Sequence, residues 1–141
     1  MLPRIVVDSS VILKWLYRTD EKYLEQADKI LQDGYTDKIF ILAPELAKYE
    51  VGNVLLAAKK LEVGKAKEVF DIFYSLPVQF IAETLGHAEE TYAVGSKSGI
   101  TYYDASFVAL AKKEGAILIT DNPKHQQKFP GVKVVSLKDY Q

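Results

Sequence analysis

The chain has 141 residues, of which 48% are hydrophobic and 26% are charged, as expected for one soluble globular domain and not for a disordered or fibrous protein. It has no cysteine and two histidines, which excludes disulfides and thiolate catalysis and argues against a zinc site. Any bound metal would be a hard cation held by oxygen. The formal net charge of -1 is mild evidence against a nucleic-acid partner.

Short β-branched runs alternate with helical patterns in the first half of the chain. Gly34 should end the second helix, and Pro44 suits the first turn of a long helix that runs to Leu61. The patterns predict, in order, a strand over 4–8, helices over 9–17 and 21–32, a strand over 39–42 and the long helix over 44–61.

The second half continues the alternation. Gly64 should break the helical pattern, Gly115 should cap a helix, and Asn122-Pro123 should open a short one. We predict a helix through about 75, a strand over 78–81, helices over 84–98 and 103–113, and strands over 116–120 and 132–135. This order predicts an α/β fold, with a mainly parallel central sheet flanked by helices in a single domain over 1–141. No apolar run reaches membrane-spanning length and no signal peptide is evident, so we expect a cytoplasmic protein without a membrane partner.

Two predicted strands end in an acid, at Asp8 and at Asp121. In a parallel sheet both acids would lie at the carboxyl edge, where α/β proteins bind ligands. Asp104 would join them from the start of the preceding helix. Each acid also has a local interpretation: Asp8 as a helix N-cap, Asp104 as a partner of the helix dipole, and Asp121-Asn122-Pro123 as a helix start.

Glu50 lies inside the long predicted helix, one turn after Leu46 and one turn before Val54. This places its carboxylate near the apolar stripe, where an unpaired charge is costly. Asn53 lies on the same face and could orient it. Glu50 could instead lie on the polar edge of the stripe or pair with a lysine.

Four converging acids would require compensation. Two carboxylates about 5 Å apart repel by roughly 3 kcal/mol at an effective dielectric near 20, so they would protonate or bind a divalent cation. An all-oxygen site formed by Asp8, Glu50, Asp104 and Asp121 fits Mg²⁺, with Mn²⁺ as a substitute. Such an ion can activate water and polarise a phosphoryl oxygen, as phosphodiester hydrolysis requires.

Four segments in this order resemble the motifs of the PIN-domain nucleases, and among them the VapC-type toxins of type II toxin–antitoxin pairs. They cover nearly the whole chain and are Ile5-Val6-Val7-Asp8-Ser9-Ser10, Glu50-Val51-Gly52-Asn53-Val54-Leu55, Tyr103-Asp104-Ala105-Ser106-Phe107-Val108-Ala109-Leu110-Ala111 and Leu118-Ile119-Thr120-Asp121-Asn122. The third of these is the most specific.

The resemblance implies a Mg²⁺- or Mn²⁺-dependent endoribonuclease that acts on RNA, forms a homodimer and is held inactive by a VapB-type antitoxin. It makes Asp8 and Asp104 the main metal ligands and Glu50 a further acid, with Thr120 or Ser9 hydrogen-bonding within the site. One feature departs from the family, in which the acid stands two residues after the threonine.

At that position this chain has Asn122, and the acid is Asp121. Asp121 could take over the role, or Asn122 could act as a neutral ligand. Descriptions with one metal and with two metals both stay open.

Two rival functions require an aspartate that this sequence lacks. A receiver domain needs an aspartate after a central strand, where this chain has Ala43-Pro44, and a haloacid-dehalogenase-like phosphatase needs one at Ser10. A non-catalytic PIN-like module that binds RNA or protein and a free-standing RNA-processing nuclease both remain open.

Basic and aromatic side chains could contribute to RNA binding. Solvated surface is the favoured interpretation for the lysines, and core packing for the aromatic residues. The candidates are Lys14, Lys59, Lys60, Lys112 and Lys124 for phosphates, and Trp15, Tyr102 and Tyr103 for bases.

Overall fold

One five-stranded sheet organises the molecule, and every neighbouring pair of strands in it is parallel. The computed structural model describes residues 1–141. The strand order is β3-β2-β1-β4-β5, which confirms the predicted α/β class. The strands are β1 (Arg4–Val7), β2 (Phe40–Pro44), β3 (Val78–Ile81), β4 (Ile117–Thr120) and β5 (Val134–Ser136).

α-Helices connect the first four strands in chain order, and the link from the fourth strand to the fifth contains only a 3₁₀ turn. Each crossover returns the chain to the same end of the sheet, as parallel pairing requires. None of the helices has the length and apolar character needed to cross a membrane. The helices are α1 (Ser9–Leu16), α2 (Leu24–Tyr35), α3 (Leu46–Asn53), α4 (Val63–Phe73), α5 (Leu85–Ser98) and α6 (Tyr102–Glu114), with a π-helical turn at Val54–Ala58 and 3₁₀ turns at Gln126–Lys128 and Leu137–Asp139.

Helix α6 is the most deeply buried helix. Residues 105–111 are all buried, and the helix packs against α5 and against strands β1, β2 and β4. The middle of the helix is buried on every side, as suits this central position, whereas its two ends carry charged residues. Thr101 caps its first turn and Gly115, with a φ of 60°, ends it as predicted.

Two predicted helix boundaries are wrong in the first half of the chain. Gly34 lies inside α2 and does not end it. A Cβ at this position would lie 2.6 Å from Ile41 Cδ1, so the glycine permits close packing of α2 on the sheet. Pro44 ends β2 and does not begin a helix, and α3 starts only at Leu46. Because proline has no N–H for the ladder, a strand end tolerates it.

Two further boundaries differ in later segments. Gly64 lies within α4 and therefore does not break a helix. A Cβ at this position would meet open space. Asn122-Pro123 opens no helix, because the 3₁₀ turn begins only at Gln126. These shifts do not change the four family motifs. A single domain extending over all of 1–141 stays a prediction.

The order of the strands decides where the acids lie. β1 pairs with β2 on one side and with β4 on the other, and Val7 is level with Ile119. The backbone N–H of Asp8 donates to the Ile119 carbonyl at 2.9 Å, which extends this pairing past the end of β1. The chain segments after β1 and β4 therefore leave the sheet side by side.

We expect Phe107→Ala to lower the free energy of unfolding by about 3–5 kcal/mol, because it empties a fully buried position of α6. The matched control is Phe70→Ala on α4, where the phenylalanine is 37% exposed. Urea denaturation monitored by circular dichroism measures both losses. Equal losses would contradict the central position of α6.

Candidate active site

Asp8 follows β1 and caps α1. Its Oδ2 accepts a hydrogen bond from the Ser10 backbone N–H at 3.1 Å, so the N-cap interpretation is correct. Its Oδ1 accepts from Nε2 of Gln126 at 3.2 Å. The two bonds fix the plane of the carboxylate and leave it partly exposed.

Glu50 projects from α3 and is half-buried. Its Oε1 accepts a hydrogen bond from the Ser9 hydroxyl at 2.8 Å. Burial raises the pKa of Glu50, and the charges of Asp8 and Asp104 raise it further, although the bond from Ser9 opposes them. Of Thr120 and Ser9, the two residues predicted to hydrogen-bond within the site, Ser9 makes the contact with Glu50. Asn53, which could have oriented Glu50, is exposed.

Asp104 lies in the first turn of α6, and its backbone N–H donates to the Thr101 hydroxyl at 3.0 Å. Burial raises the pKa of Asp104 and the charge of Asp8 adds to the rise, while His125 and the Thr101 contact act in the opposite direction. The carboxylate therefore faces the same charged neighbourhood as Glu50.

Asp8, Glu50 and Asp104 are close enough to interact through their charges, and we call these three side chains the three-acid pocket. The charge of Asp8 acts on both other acids, and that of Asp104 acts on Glu50. No group of three or more histidine, aspartate or glutamate side chains is close enough, as the side chains stand, to hold a metal ion. The donor chemistry nevertheless fits a divalent cation, because such an ion would offset the repulsion that raises these pKa values.

Asp121 lies at the same edge of the sheet but in different surroundings. Its Oδ2 lies 3.3 Å from the Nζ of Lys14, and its backbone N–H donates to the Ser10 hydroxyl at 3.1 Å. It is not among the charges that raise the pKa values of Glu50 and Asp104. Thr120 accepts a hydrogen bond from the backbone N–H of the exposed Asn122 at 3.2 Å.

The five lysines considered for phosphate binding differ in their burial and in their partners. Lys14 is buried, which neither the phosphate-binding nor the solvated-surface interpretation anticipated. Lys112 pairs with Glu90, and Lys59 lies 4.6 Å from the centre of the Tyr17 ring. Solvent exposure is confirmed for Lys60, Lys112 and Lys124.

The aromatic residues considered for base stacking also include buried and exposed side chains. Trp15 is a core residue, as favoured, and its indole N–H donates to the Ala27 carbonyl at 2.7 Å. The favoured core position is wrong for Tyr102 and Tyr103, which are exposed and line a groove of about 300 Å³. The hydroxyl of Tyr102 donates to Glu83 at 2.6 Å, and this bond raises its pKa to about 12.

Sequence reasoning missed His125 and Gln126, two consecutive residues that reach the pocket. Gln126 is 2% exposed and bonds to Asp8, and His125 acts on Asp104 through its charge. They belong to a polar stretch that resembles solvated surface in the sequence. Only the path of the chain after β4 brings them to the acids.

The sequence profile of the PIN domain matches residues 5–130. The chain belongs to the PIN domain family. Ribonuclease VapC3 from Pyrobaculum aerophilum is 33% identical to this PIN domain over 136 residues, which are 92% of this chain and 97% of the relative. The resemblance inferred from the motifs is therefore confirmed.

Solved structures support the fold. One is VapBC2 from Rickettsia felis, bound to a DNA fragment from their promoter, with a TM-score of 0.73, 16% identity and coverage of 94% of this chain and 98% of that chain. Another is VapC20 from Mycobacterium tuberculosis, a toxin that cleaves the sarcin-ricin loop, with a TM-score of 0.63, 16% identity and coverage of 91% and 98%. At these identities the likeness concerns the PIN fold alone.

The raised pKa of Glu50 predicts a pH dependence of stability. Folding favours the protonated form of this carboxyl. The free-energy cost of holding its ionised form in the folded state is therefore absent below about pH 4.5 and grows as the pH rises towards the folded-state pKa. We therefore expect Glu50→Gln to gain free energy of unfolding relative to the parent as the pH rises from 4.5 to 7. Urea denaturation without divalent cations measures this difference.

The control is Glu89→Gln, which changes an exposed glutamate on α5. Its difference from the parent should vary little over the same range. If the Glu50→Gln difference were equally flat, the three-acid pocket would carry no excess charge.

Proposed function

We propose that this chain is a divalent-metal-dependent endoribonuclease that hydrolyses RNA phosphodiester bonds as the toxin of a VapBC-type pair. The observation that carries the proposal is the three-acid pocket at the carboxyl edge of the sheet, where burial and mutual repulsion raise the pKa values of Glu50 and Asp104. The homology to a ribonuclease VapC adds support.

Each acid has a proposed role. Asp8 and Asp104 would hold the cation, Mg²⁺ or in its place Mn²⁺, and Glu50 would bind it or position water. Asp121 is the fourth acid that the sequence predicts for the site, and it pairs with Lys14. The cation would supply positive charge at the scissile phosphate and polarise a phosphoryl oxygen.

Neighbouring groups of this chain orient the acids. The Ser9 hydroxyl holds Glu50, while Gln126 and the first turn of α1 hold Asp8 in one plane. These contacts keep the carboxylates in place before substrate arrives, which lowers the cost of ordering them during the reaction. Exposed Lys60 and Lys124 are available for RNA phosphates.

We further propose a VapB-type antitoxin and a second copy of this chain as protein partners, in the cytoplasm. The VapBC structure among the fold neighbours is consistent with the first partner. Large apolar side chains on α3, the π-helical turn and the residue after α4 support a protein partner, because they are more than half exposed. They are Tyr49, Leu56 and Tyr74.

A non-catalytic PIN-like module that binds RNA or protein is the second candidate. Two observations favour it: the acid at Asp121 is paired with Lys14, and no three acids are close enough as they stand to hold a metal. A module of this kind would gain little thermal stability from Mn²⁺, whereas an enzyme with a metal site should gain it.

We expect Asp104→Asn to reduce Mn²⁺-dependent RNA cleavage by at least about a hundredfold, because loss of a direct ligand should exceed the effect of losing an outer contact. The matched control is Asp71→Asn, an exposed aspartate on α4, which should retain the parent rate. Cleavage of a fluorescent RNA by equally purified proteins measures both. Equal rates for parent and Asp104→Asn would exclude the proposed site.

Gln126 offers a second test. Gln126→Leu removes the amide that orients Asp8, so we expect Mn²⁺-dependent cleavage to fall by about tenfold or more. The adjacent Gln127 is exposed, and Gln127→Leu is the control for the same chemical change. Rates and Mn²⁺ midpoints that are the same in both variants would show that the contact with Asp8 has no role.

A further inference from the structure

A lysine is buried beside the proposed site and meets two acids. The side chain of Lys14, on α1, is 3% exposed, and its Nζ lies 3.2 Å from Glu21 Oε1 and 3.3 Å from Asp121 Oδ2. A buried ammonium needs nearby negative charge to offset the loss of its hydration. Asp121 and Glu21 therefore provide the charge that lets Lys14 remain buried.

The backbone around Asp121 reinforces this arrangement. The Asp121 N–H donates to the Ser10 hydroxyl, and Ser10 lies one helical turn before Lys14 on α1. The Ser10 N–H in turn donates to Asp8 Oδ2. Helix α1 thus links the ion pair of Lys14 to the carboxylate of Asp8 through one turn.

Asp121 also differs from the acids of the three-acid pocket in its electrostatic surroundings. The charges that act on Glu50 and Asp104 include Asp8 but not Asp121. The two groups of acids share an edge of the sheet, but only Asp121 lies within ion-pair distance of a lysine.

We infer that Lys14 is a positioning residue whose ammonium holds Asp121 and Glu21 in a permanent ion-paired cluster, so that Asp121 does not bind the divalent cation directly. The part of this inference that concerns the cation rests on the proposed function. The charge on Lys14 is shared between Asp121 and Glu21, and the direct ligands of a cation are then expected from Asp8, Glu50 and Asp104 alone.

The first experiment compares two isosteric substitutions, Asp121→Asn and Asp104→Asn, in a Mn²⁺ titration followed by electron paramagnetic resonance. We expect Asp104→Asn to weaken Mn²⁺ binding by about tenfold or more, and Asp121→Asn to change it by less than about threefold. Without metal, only Asp121→Asn should increase the unfolding equilibrium constant appreciably. Weakening of Mn²⁺ binding by Asp121→Asn as strong as that by Asp104→Asn would overturn the inference.

The second experiment tests the ion pair without any metal. A double-mutant cycle of Lys14→Met and Asp121→Asn should show a coupling of at least about fivefold in the unfolding equilibrium constant. Lys14→Arg retains the positive charge and should restore much of the stability that Lys14→Met loses. Additive effects in the cycle, or no recovery with arginine, would overturn the pairing.

The two experiments separate the inference from the proposed function. If the parent protein binds no Mn²⁺, the proposed nuclease site fails, and the metal-free cycle still decides whether Lys14 holds Asp121. If the parent binds Mn²⁺ and the cycle is additive, the nuclease site stands and the role of Lys14 fails.

Discussion

The position of β1 between β2 and β4 is the constraint on which the site depends. Parallel pairing on both sides makes Val7 level with Ile119, and the bond from the Asp8 N–H to the Ile119 carbonyl leaves no freedom to slip by one residue. A slip of one residue would turn every side chain to the opposite face of the sheet. The buried β-branched residues of β1 therefore determine both the core and the place of Asp8.

Helix α6 couples stability to the proposed activity. Its buried middle packs against the sheet, while its first turn, capped by Thr101, presents Asp104 to the pocket. Apolar contacts along the length of this helix therefore offset the free-energy cost of a half-buried acid at its start. Because acids in a first turn interact favourably with the helix dipole, that position also lowers the cost of the charge.

The distribution of charge matters more here than the total. With 18 basic and 19 acidic residues the chain is nearly neutral, yet the edge of the sheet has two distinct environments. Asp121 pairs with a buried lysine, whereas Asp8, Glu50 and Asp104 carry an excess of negative charge. A net charge of -1 is therefore weak evidence against an RNA partner, since a cation in the three-acid pocket would reverse the local sign.

The sequence by itself determined the parallel α/β class, the order of the elements and the placement of Asp8 and Asp104 at element starts. These features depend on local patterns: β-branched runs that form buried strands, and capping residues that begin helices. Local signals failed at Gly34 and Pro44, where packing of α2 on the sheet and the end of a strand ladder outweighed the usual preferences of these residues.

Only the tertiary structure decided which partner each acid meets. The bond between Asp8 and Gln126 joins residues 118 positions apart, and that between Ser10 and Asp121 joins residues 111 apart. The burial of Lys14 likewise depends on chain segments from outside its own helix. Residue type and spacing encode the local backbone, but the charge that a side chain meets depends on how distant segments pack around it.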